Sequence, residues 1–161
     1  MKILIVSDTH GRDENLKKVV EMTKPFDCLI HLGDVEGSEN YIRRMVPCPV
    51  RIVSGNNDFF SDNLREMEVV FGTKKAFMTH GHYYYVSLGP ERIIEEGKMR
   101  NADIVMFGHT HKPFLEMIDG MIVLNPGSLS YPRQEGRKGS YIIMEIDEDS
   151  DVKCEIRYLD K

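Results

Sequence analysis

The chain has 161 residues, a formal net charge of −5, and 41% hydrophobic against 29% charged residues. This composition is ordinary for a globular domain, and the length favours a single domain over residues 1–161. The acidic balance disfavours duplex nucleic acid as a partner, because such binders usually present a basic face. The three cysteines form no disulfide framework and no apolar run is long enough to cross a bilayer, so we expect a cytoplasmic protein without a membrane partner.

The first half of the chain predicts alternating strands and helices. Buried strands are expected where β-branched and apolar residues run together, at residues 2–7, 27–33 and 49–55. Apolar residues at helical spacing, such as Leu16, Val19 and Val20, predict amphipathic helices over residues 13–22 and 38–46. This alternation is typical of parallel strands joined by helical crossovers.

From residue 68 the pattern changes to hairpins. One helix is expected over residues 90–101 and one strand over residues 103–108. Antiparallel hairpins are expected over residues 68–81, 114–127 and 140–159. Parallel crossovers followed by hairpins predict an α/β fold built from two packed, mixed sheets flanked by helices.

Six of the predicted strand ends carry polar residues that are capable of chemistry. In chain order these ends read Asp8-Thr9-His10, Gly33-Asp34, Gly55-Asn56-Asn57-Asp58, His80-Gly81-His82, Gly108-His109-Thr110-His111 and Asn125-Pro126-Gly127-Ser128. The functional crevice of an open α/β sheet lies at the carboxyl ends of its strands. These side chains are therefore expected to converge if the strands are neighbours.

The residue types at these ends suit a metal site. Asp8 and His10 stand two residues apart, as do His109 and His111, so in extended backbone each pair leaves one face and can share an ion. Carboxylate mixed with imidazole, without thiolate, suits Mn, Fe, Co, Ni or Zn in an open site. Each motif alone also fits an ordinary turn, whereas five motifs at successive strand ends favour metal. His31, inside an apolar run, fits a hydrogen-bonded structural histidine better than a ligand.

The sequence resembles the calcineurin-like metallophosphoesterase superfamily. The motifs of that family are D-x-H, GD, GN-x-D/E, H and GH-x-H, and all five occur here in that order over nearly the whole chain. The compact length, the SDTHG at residues 7–11 and the NPGS at residues 125–128 are most similar to the small YfcE-like phosphodiesterase branch. The resemblance implies one metallophosphoesterase domain, an αββα sandwich.

The resemblance also implies two divalent metal ions, with manganese favoured and nickel, cobalt, iron or zinc as alternatives. The ligands of one ion would be Asp8, His10, Asp34 and His111, and those of the other Asp34, Asn56, His80 and His109. Asp34 would bridge the ions, about 3.5–4 Å apart, and hold a bridging hydroxide for in-line attack on a phosphate ester.

One position departs from the family pattern. Many members have histidine where this sequence has Asn57, and an amide cannot donate a proton near neutral pH. We therefore expect a preference for esters with acidic leaving groups. Asn57 and His82 are candidates to assist catalysis, although His82 also fits a residue that only supports its neighbours.

Four residues have expected supporting roles. Asn56 and Asn57 are candidates to bind substrate, and so is Arg12, which equally fits a surface arginine at a helix start. Asp58 is expected to orient Asn56 or His10 rather than to bind metal.

The expected function is a phosphodiesterase that acts on a small phosphodiester or a nucleotide. Alternatives on the same fold are a non-catalytic interaction scaffold, like the retromer subunit of this branch, and a metal-bound nucleotide sensor. The presence of all seven ligand positions favours the enzyme. Residues 59–63 or the C-terminal hairpin are candidate surfaces for a homo-oligomer.

Overall fold

The computed structural model describes residues 1–160, and its secondary structure follows the predicted order; Lys161, the last residue of the predicted domain, lies outside this range. The strands are β1 (Lys2–Val6), β2 (Cys28–His31), β3 (Val50–Ile52), β4 (Glu66–Phe71), β5 (Lys74–Thr79), β6 (Ile104–Met106), β7 (Pro113–Ile118), β8 (Met121–Pro126), β9 (Ser140–Ile146) and β10 (Val152–Tyr158). The helices are α1 (Glu14–Thr23), α2 (Glu39–Met45) and α3 (Glu91–Met99). Every predicted helix and strand is present, and a 3-10 turn at His82–Tyr84 was not predicted.

The strands form two five-stranded mixed sheets, in the orders β10-β9-β1-β2-β3 and β4-β5-β6-β8-β7. In the first sheet β1, β2 and β3 are parallel, whereas β9 runs antiparallel to both of its neighbours, β1 and β10. In the second sheet β5, β6 and β8 are parallel, and β4 and β7 are the antiparallel edges. In each sheet the three parallel strands are neighbours, so their carboxyl ends can form one crevice.

Alternation along the strands explains the layers of the fold. In β1, Ile3 and Ile5 pack between the two sheets, whereas Leu4 and Val6 face α1 and α2. The same alternation in the second sheet places Phe77 against α3. Each sheet thus buries both of its faces, one on the other sheet and one on helices. The predicted αββα sandwich is confirmed.

None of the helices within residues 1–160 is long and apolar enough to cross a membrane. The longest of these, α1, has ten residues and buries only one side of its surface. Burial of Leu16, Val19 and Val20 on the first sheet matches the helical spacing from which α1 was predicted.

Candidate metal centre

The loops after β1, β2, β3, β5 and β6 bring all seven predicted ligands together. Asp8 Oδ1 lies 3.7 Å from His10 Nε2, 3.8 Å from His80 Nε2 and 3.2 Å from His111 Nε2. Asp34 Oδ2 lies 3.7 Å from His10 Nε2 and 3.5 Å from His80 Nε2. The predicted convergence of these strand ends is therefore present in the structure.

Asn56 completes the group beside two imidazoles. Its Oδ1 lies 3.0 Å from both His80 Nε2 and His109 Nδ1, and the two ring nitrogens lie 3.3 Å apart. Two clusters of candidate ligand atoms result, one with Asp8, His10 and His111 and the other with Asp8, Asp34 and His80. The two clusters share Asp8, which lies between them.

The backbone between Asp8 and His10 is not extended, so the condition under which their spacing would place both side chains on one face is not met. Asp8 and His10 have φ of 55° and 50°, and positive values recur at Asp34, His109 and His111. Left-handed conformation costs a non-glycine residue about 1–2 kcal/mol. The side chains converge because tight left-handed turns follow the strands, and the hydrogen bonds around these turns must offset the strain.

Two glycines allow these turns to approach one another closely. A Cβ on Gly108 would lie 2.2 Å from Ser7 Oγ and 2.8 Å from Asp8 Oδ2, and one on Gly55 would lie 2.2 Å from Asp34 Oδ1. Real Cβ atoms do not approach other atoms so closely. The glycines of the GH-x-H and GN-x-D motifs are therefore required for packing against the carboxylates.

The outward ring nitrogens of three histidines show which nitrogen faces the centre. His80 Nδ1 donates to the carbonyl of Leu32 at 2.7 Å, and His111 Nδ1 donates to the carbonyl of Tyr131 at 2.8 Å. His10 Nδ1 donates to Glu36 Oε1 at 3.1 Å. Because Nδ1 carries the N–H of each ring, Nε2 is the nitrogen that faces the centre, and it offers a lone pair there when the ring is neutral.

These inward lone pairs fit a bound cation. His10 Nε2 and His111 Nε2 lie 3.1 Å apart, a distance that requires a proton or a cation between two lone pairs. Asp8 Oδ1 is buried and accepts no well-formed hydrogen bond from residues 1–160. Carboxylate oxygen, amide oxygen and imidazole nitrogen form a donor set that suits Mn and the neighbouring transition metals.

The ionisation of the centre also reflects its negative charge. Burial lowers the pKa of His80, but Asp8 and Asp34 outweigh it and raise that pKa to about 9. Burial raises the pKa of Asp34 and of Asp8, whereas His80 beside them lowers both to below the ordinary value. The carboxylates are therefore ionised near neutral pH and attract positive charge.

Asn57 and Asp58 act on Asp34 and its loop. Both Asp34 oxygens accept from Asn57, Oδ1 from the main-chain N–H and Oδ2 from the side-chain Nδ2–H, each at 2.9 Å. The carboxylate of Asp58 accepts from the main-chain N–H groups of Asp34, Glu36 and Gly55 at 2.7–2.8 Å. The expectation that Asp58 orients Asn56 or His10 was wrong, since its oxygens are taken up by loop backbone.

The remaining predicted residues lie around the centre. His82 stands 6.0 Å from the His109 ring centroid, and burial and the neighbouring His80 lower its pKa to about 4. The Arg12 guanidinium lies 5.2 Å from the centroid of the Tyr131 ring, which in turn packs edge-on against His10. Arg12 therefore contacts the aromatic ring that packs against His10.

His31 is a buried structural histidine, as expected. Thr9 Oγ1 lies 3.0 Å from its Nε2, and the Gly33 N–H donates to its Nδ1 at 3.2 Å. Burial lowers the pKa of His31 to about 4, so the ring is neutral near pH 7.

The sequence did not identify several residues that shape the centre. Ser7 donates to Asp8 Oδ2 at 2.6 Å, and Ser128 donates to the Asp8 carbonyl at 2.7 Å. Asn125 Nδ2 donates to the carbonyl of Gly108 at 2.9 Å. The polar NPGS segment at a strand end was the available signal for Asn125 and Ser128, but it does not reveal their partners.

Comparison with known proteins identifies the family. Residues 1–149 match the calcineurin-like phosphoesterase superfamily domain. The probable metallophosphoesterase YsnB of Bacillus subtilis is 32% identical over 100% of this chain and 92% of its own. The phosphodiesterase YfcE of Escherichia coli K12 is 29% identical over 91% of this chain and 89% of its own.

Solved structures agree with this assignment. A predicted phosphoesterase of Streptococcus pneumoniae has a TM-score of 0.80 and 25% identity, covering 98% of this chain and 97% of its own. A Vps29 mutant of Entamoeba histolytica also has a TM-score of 0.80, covering 99% of this chain and 100% of its own; its 23% identity shows the fold alone. The order of the motifs, the αββα sandwich and the match over residues 1–149 lead to one conclusion. This chain belongs to the calcineurin-like phosphoesterase superfamily.

Proposed function

We propose that this protein is a metal-dependent phosphodiesterase whose seven candidate ligands hold two divalent cations, with manganese favoured. The proposal is carried by the inward-facing nitrogens of His10, His111 and His80 around the buried oxygens of Asp8 and Asp34. Two cations held there would supply an activated water and would neutralise the charge of a phosphate ester under attack. Asp34, whose Oδ2 lies 3.7 Å from His10 Nε2 and 3.5 Å from His80 Nε2, is proposed as the bridging ligand, although the two clusters of candidate ligand atoms share Asp8 rather than Asp34.

The residues of this chain that support such chemistry act mainly by positioning. Leu32 and Tyr131 carbonyls fix the rings of His80 and His111, so the ligand nitrogens need no reorientation when a cation binds. Asn57 fixes both oxygens of Asp34. A preformed site of this kind lowers the entropic cost of binding the cations and the substrate.

The states of Asn57 and His82 favour diesters with acidic leaving groups, because neither residue is suited to protonate a leaving group. The Asn57 amide is engaged with Asp34, and His82 is neutral near pH 7 because its pKa is about 4. An alkoxide leaving group needs a proton, whereas an aryl oxide does not. The phosphodiesterase name of YfcE supports the same class of substrate. Assistance by Asn57 and His82, and substrate binding by Asn56, Asn57 and Arg12, belong to this proposal.

The test is hydrolysis of bis-p-nitrophenyl phosphate in the presence of Mn²⁺, Ni²⁺, Co²⁺ or Zn²⁺. We expect turnover with at least one of these ions and loss of at least about a thousandfold in kcat/KM for Asp34→Asn. Asp149→Asn, on the exposed hairpin between β9 and β10, is the matched control. An alkyl monoester turned over as fast as the aryl diester would overturn the expected leaving-group preference.

A scaffold without catalysis is the alternative function. The structural likeness to Vps29 shows that this fold also occurs in that protein, and Phe59 and Phe60 are 79% and 102% exposed at the rim of the centre. Exposed aromatic residues are common in protein interfaces. Protein that remains inert with all four ions would favour this alternative over the enzyme.

A further inference from the structure

A cavity of about 710 Å³ opens directly beside the candidate metal centre. The candidate ligands His10 and His111 line it, together with Arg133 and Arg137. A substrate phosphate at the centre would therefore extend one of its arms past these two arginines. The chemistry of the arm that fits depends on what the arginines can bind.

Arg133 is held in place by the ligand loop itself. The Arg133 N–H donates to the carbonyl of His111 at 3.0 Å, and the same histidine donates through Nδ1 to the carbonyl of Tyr131. Residues 131–133 are thus joined to His111 by two hydrogen bonds. The start of the Arg133 side chain has a fixed position relative to the candidate ligands, whereas its exposed guanidinium is free to reach a bound substrate.

In the part of the chain that the structure describes, no carboxylate forms an ion pair with the two arginines. Within residues 1–160, neither Arg133 nor Arg137 forms an ion pair, whereas Arg100 and Arg157 each bind glutamate. Glu36 also lines the cavity, but its Oε1 is directed at His10 Nδ1. Two unpaired guanidinium groups in a chain of net charge −5 form a localised positive surface.

A second cavity continues the same surface. It has a volume of about 560 Å³, and Arg133 lines both cavities. Lys112 adds another positive charge there, and Phe107 and Phe114 supply apolar surface. An arm that enters this region from the metal centre meets both aromatic and basic side chains.

We infer that Arg133 and Arg137 determine specificity by binding a second phosphate on one arm of the diester substrate. The inference rests on the proposed phosphodiesterase function and names a substrate class within it, a diester with an additional phosphate group such as a 3′-phosphorylated nucleotide ester. Guanidinium groups match phosphate geometry and bind it in a bidentate manner. The second phosphate strengthens substrate binding and leaves the reacting phosphorus unchanged.

Two chromogenic esters that differ only in the second phosphate test the inference. These are thymidine 5′-(p-nitrophenyl phosphate) and its 3′-phosphorylated derivative, assayed with Mn²⁺ at low ionic strength. The leaving group is identical, so a difference in kcat/KM reports recognition of the 3′-phosphate. We expect kcat/KM to be about tenfold higher for the phosphorylated ester, mainly through a lower KM. A hydrogen bond between charged groups strengthens binding by at least about this factor.

Variants assign that preference to the arginines. Arg133→Ala combined with Arg137→Ala should bring the ratio of the two kcat/KM values close to one. Arg44→Ala, an exposed arginine at the far end of α2, should keep the ratio of the unaltered protein. Arg133→Lys retains the charge without the planar fork and should give an intermediate ratio.

A binding measurement supplies a second readout. Calorimetric titration with thymidine 3′,5′-bisphosphate and thymidine 5′-phosphate should show the same preference and the same loss in the double alanine variant. Equal kcat/KM for the two esters, or an unchanged ratio in that variant, would overturn the inference alone. Failure to hydrolyse either ester would overturn the proposed function, and the inference with it.

Discussion

Replacing Asn57 by alanine removes one of the two hydrogen bonds that fix the Asp34 carboxylate. Asn57 Nδ2 donates to Asp34 Oδ2 at 2.9 Å, and the main-chain N–H that donates to Oδ1 remains in the variant. A hydrogen bond to a charged group contributes about 1.5–3 kcal/mol, and 1.4 kcal/mol corresponds to a factor of ten. If that energy is used to hold Asp34 ready for a cation, the affinity for Mn²⁺ should fall by about 10- to 100-fold.

Calorimetric titration of the purified variant with Mn²⁺ measures this change directly. The rate of bis-p-nitrophenyl phosphate hydrolysis at saturating Mn²⁺ shows whether the variant also misplaces Asp34, because weak Mn²⁺ binding no longer limits the rate under that condition. Asn40→Ala is the matched control, because Asn40 is an exposed asparagine on α2. A dissociation constant within twofold of the unaltered protein would refute the reasoning and would release Asn57 for contact with substrate.

Three further changes test other parts of the centre. Gly108→Ala places a Cβ 2.2 Å from Ser7 Oγ, so we expect a loss of about 1–3 kcal/mol in the free energy of unfolding and strongly weakened Mn²⁺ binding, measured by urea titration and calorimetry. The pKa of His80 is raised to about 9 without a cation, so its proton must leave when metal binds. The Mn²⁺ association constant should therefore rise about tenfold per pH unit from 6.5 to 8.5. An association constant that does not change with pH would contradict this. The pKa of His31 in the folded protein is lowered to about 4, so its contribution to stability is present above pH 6.5 and is lost as the pH falls towards 4. The free energy of unfolding should decrease by up to about 3 kcal/mol over that pH range. The decrease should be smaller in His31→Gln.

The helices and strands could be predicted because the spacing of apolar residues involves only residues close together in the sequence. The spacing of Leu16, Val19 and Val20 requires only that α1 bury one side, and that side packs on the first sheet. The alternation in β1 likewise leads to two buried faces. The turn at His82–Tyr84 could not be predicted in this way, because it begins at Gly81 in the left-handed region and depends on a local backbone path rather than on a repeated pattern.

The positions of the candidate ligands were predictable, whereas their local geometry was not. Strand ends at the carboxyl edge of a sheet converge whatever follows them, which explains why seven separate residues could be grouped. The backbone angles at Asp8 and His10 depend on hydrogen bonds from these loops to the loop after β2, such as that from the His10 N–H to the carbonyl of Asp34. Such partners are distant in sequence, so the spacing of Asp8 and His10 does not reveal this conformation.

The hydrogen bonds that orient the candidate ligands bear on the choice between an enzyme and a scaffold. His80 and His111 are oriented by main-chain carbonyls, and a chain with this fold would keep those carbonyls whatever its function. The inward nitrogens are different, because two lone pairs 3.1 Å apart repel unless a proton or a cation lies between them. A chain that only binds a partner protein gains nothing from that repulsion. Keeping His10 and His111 in this arrangement therefore favours a protein that uses a bound cation.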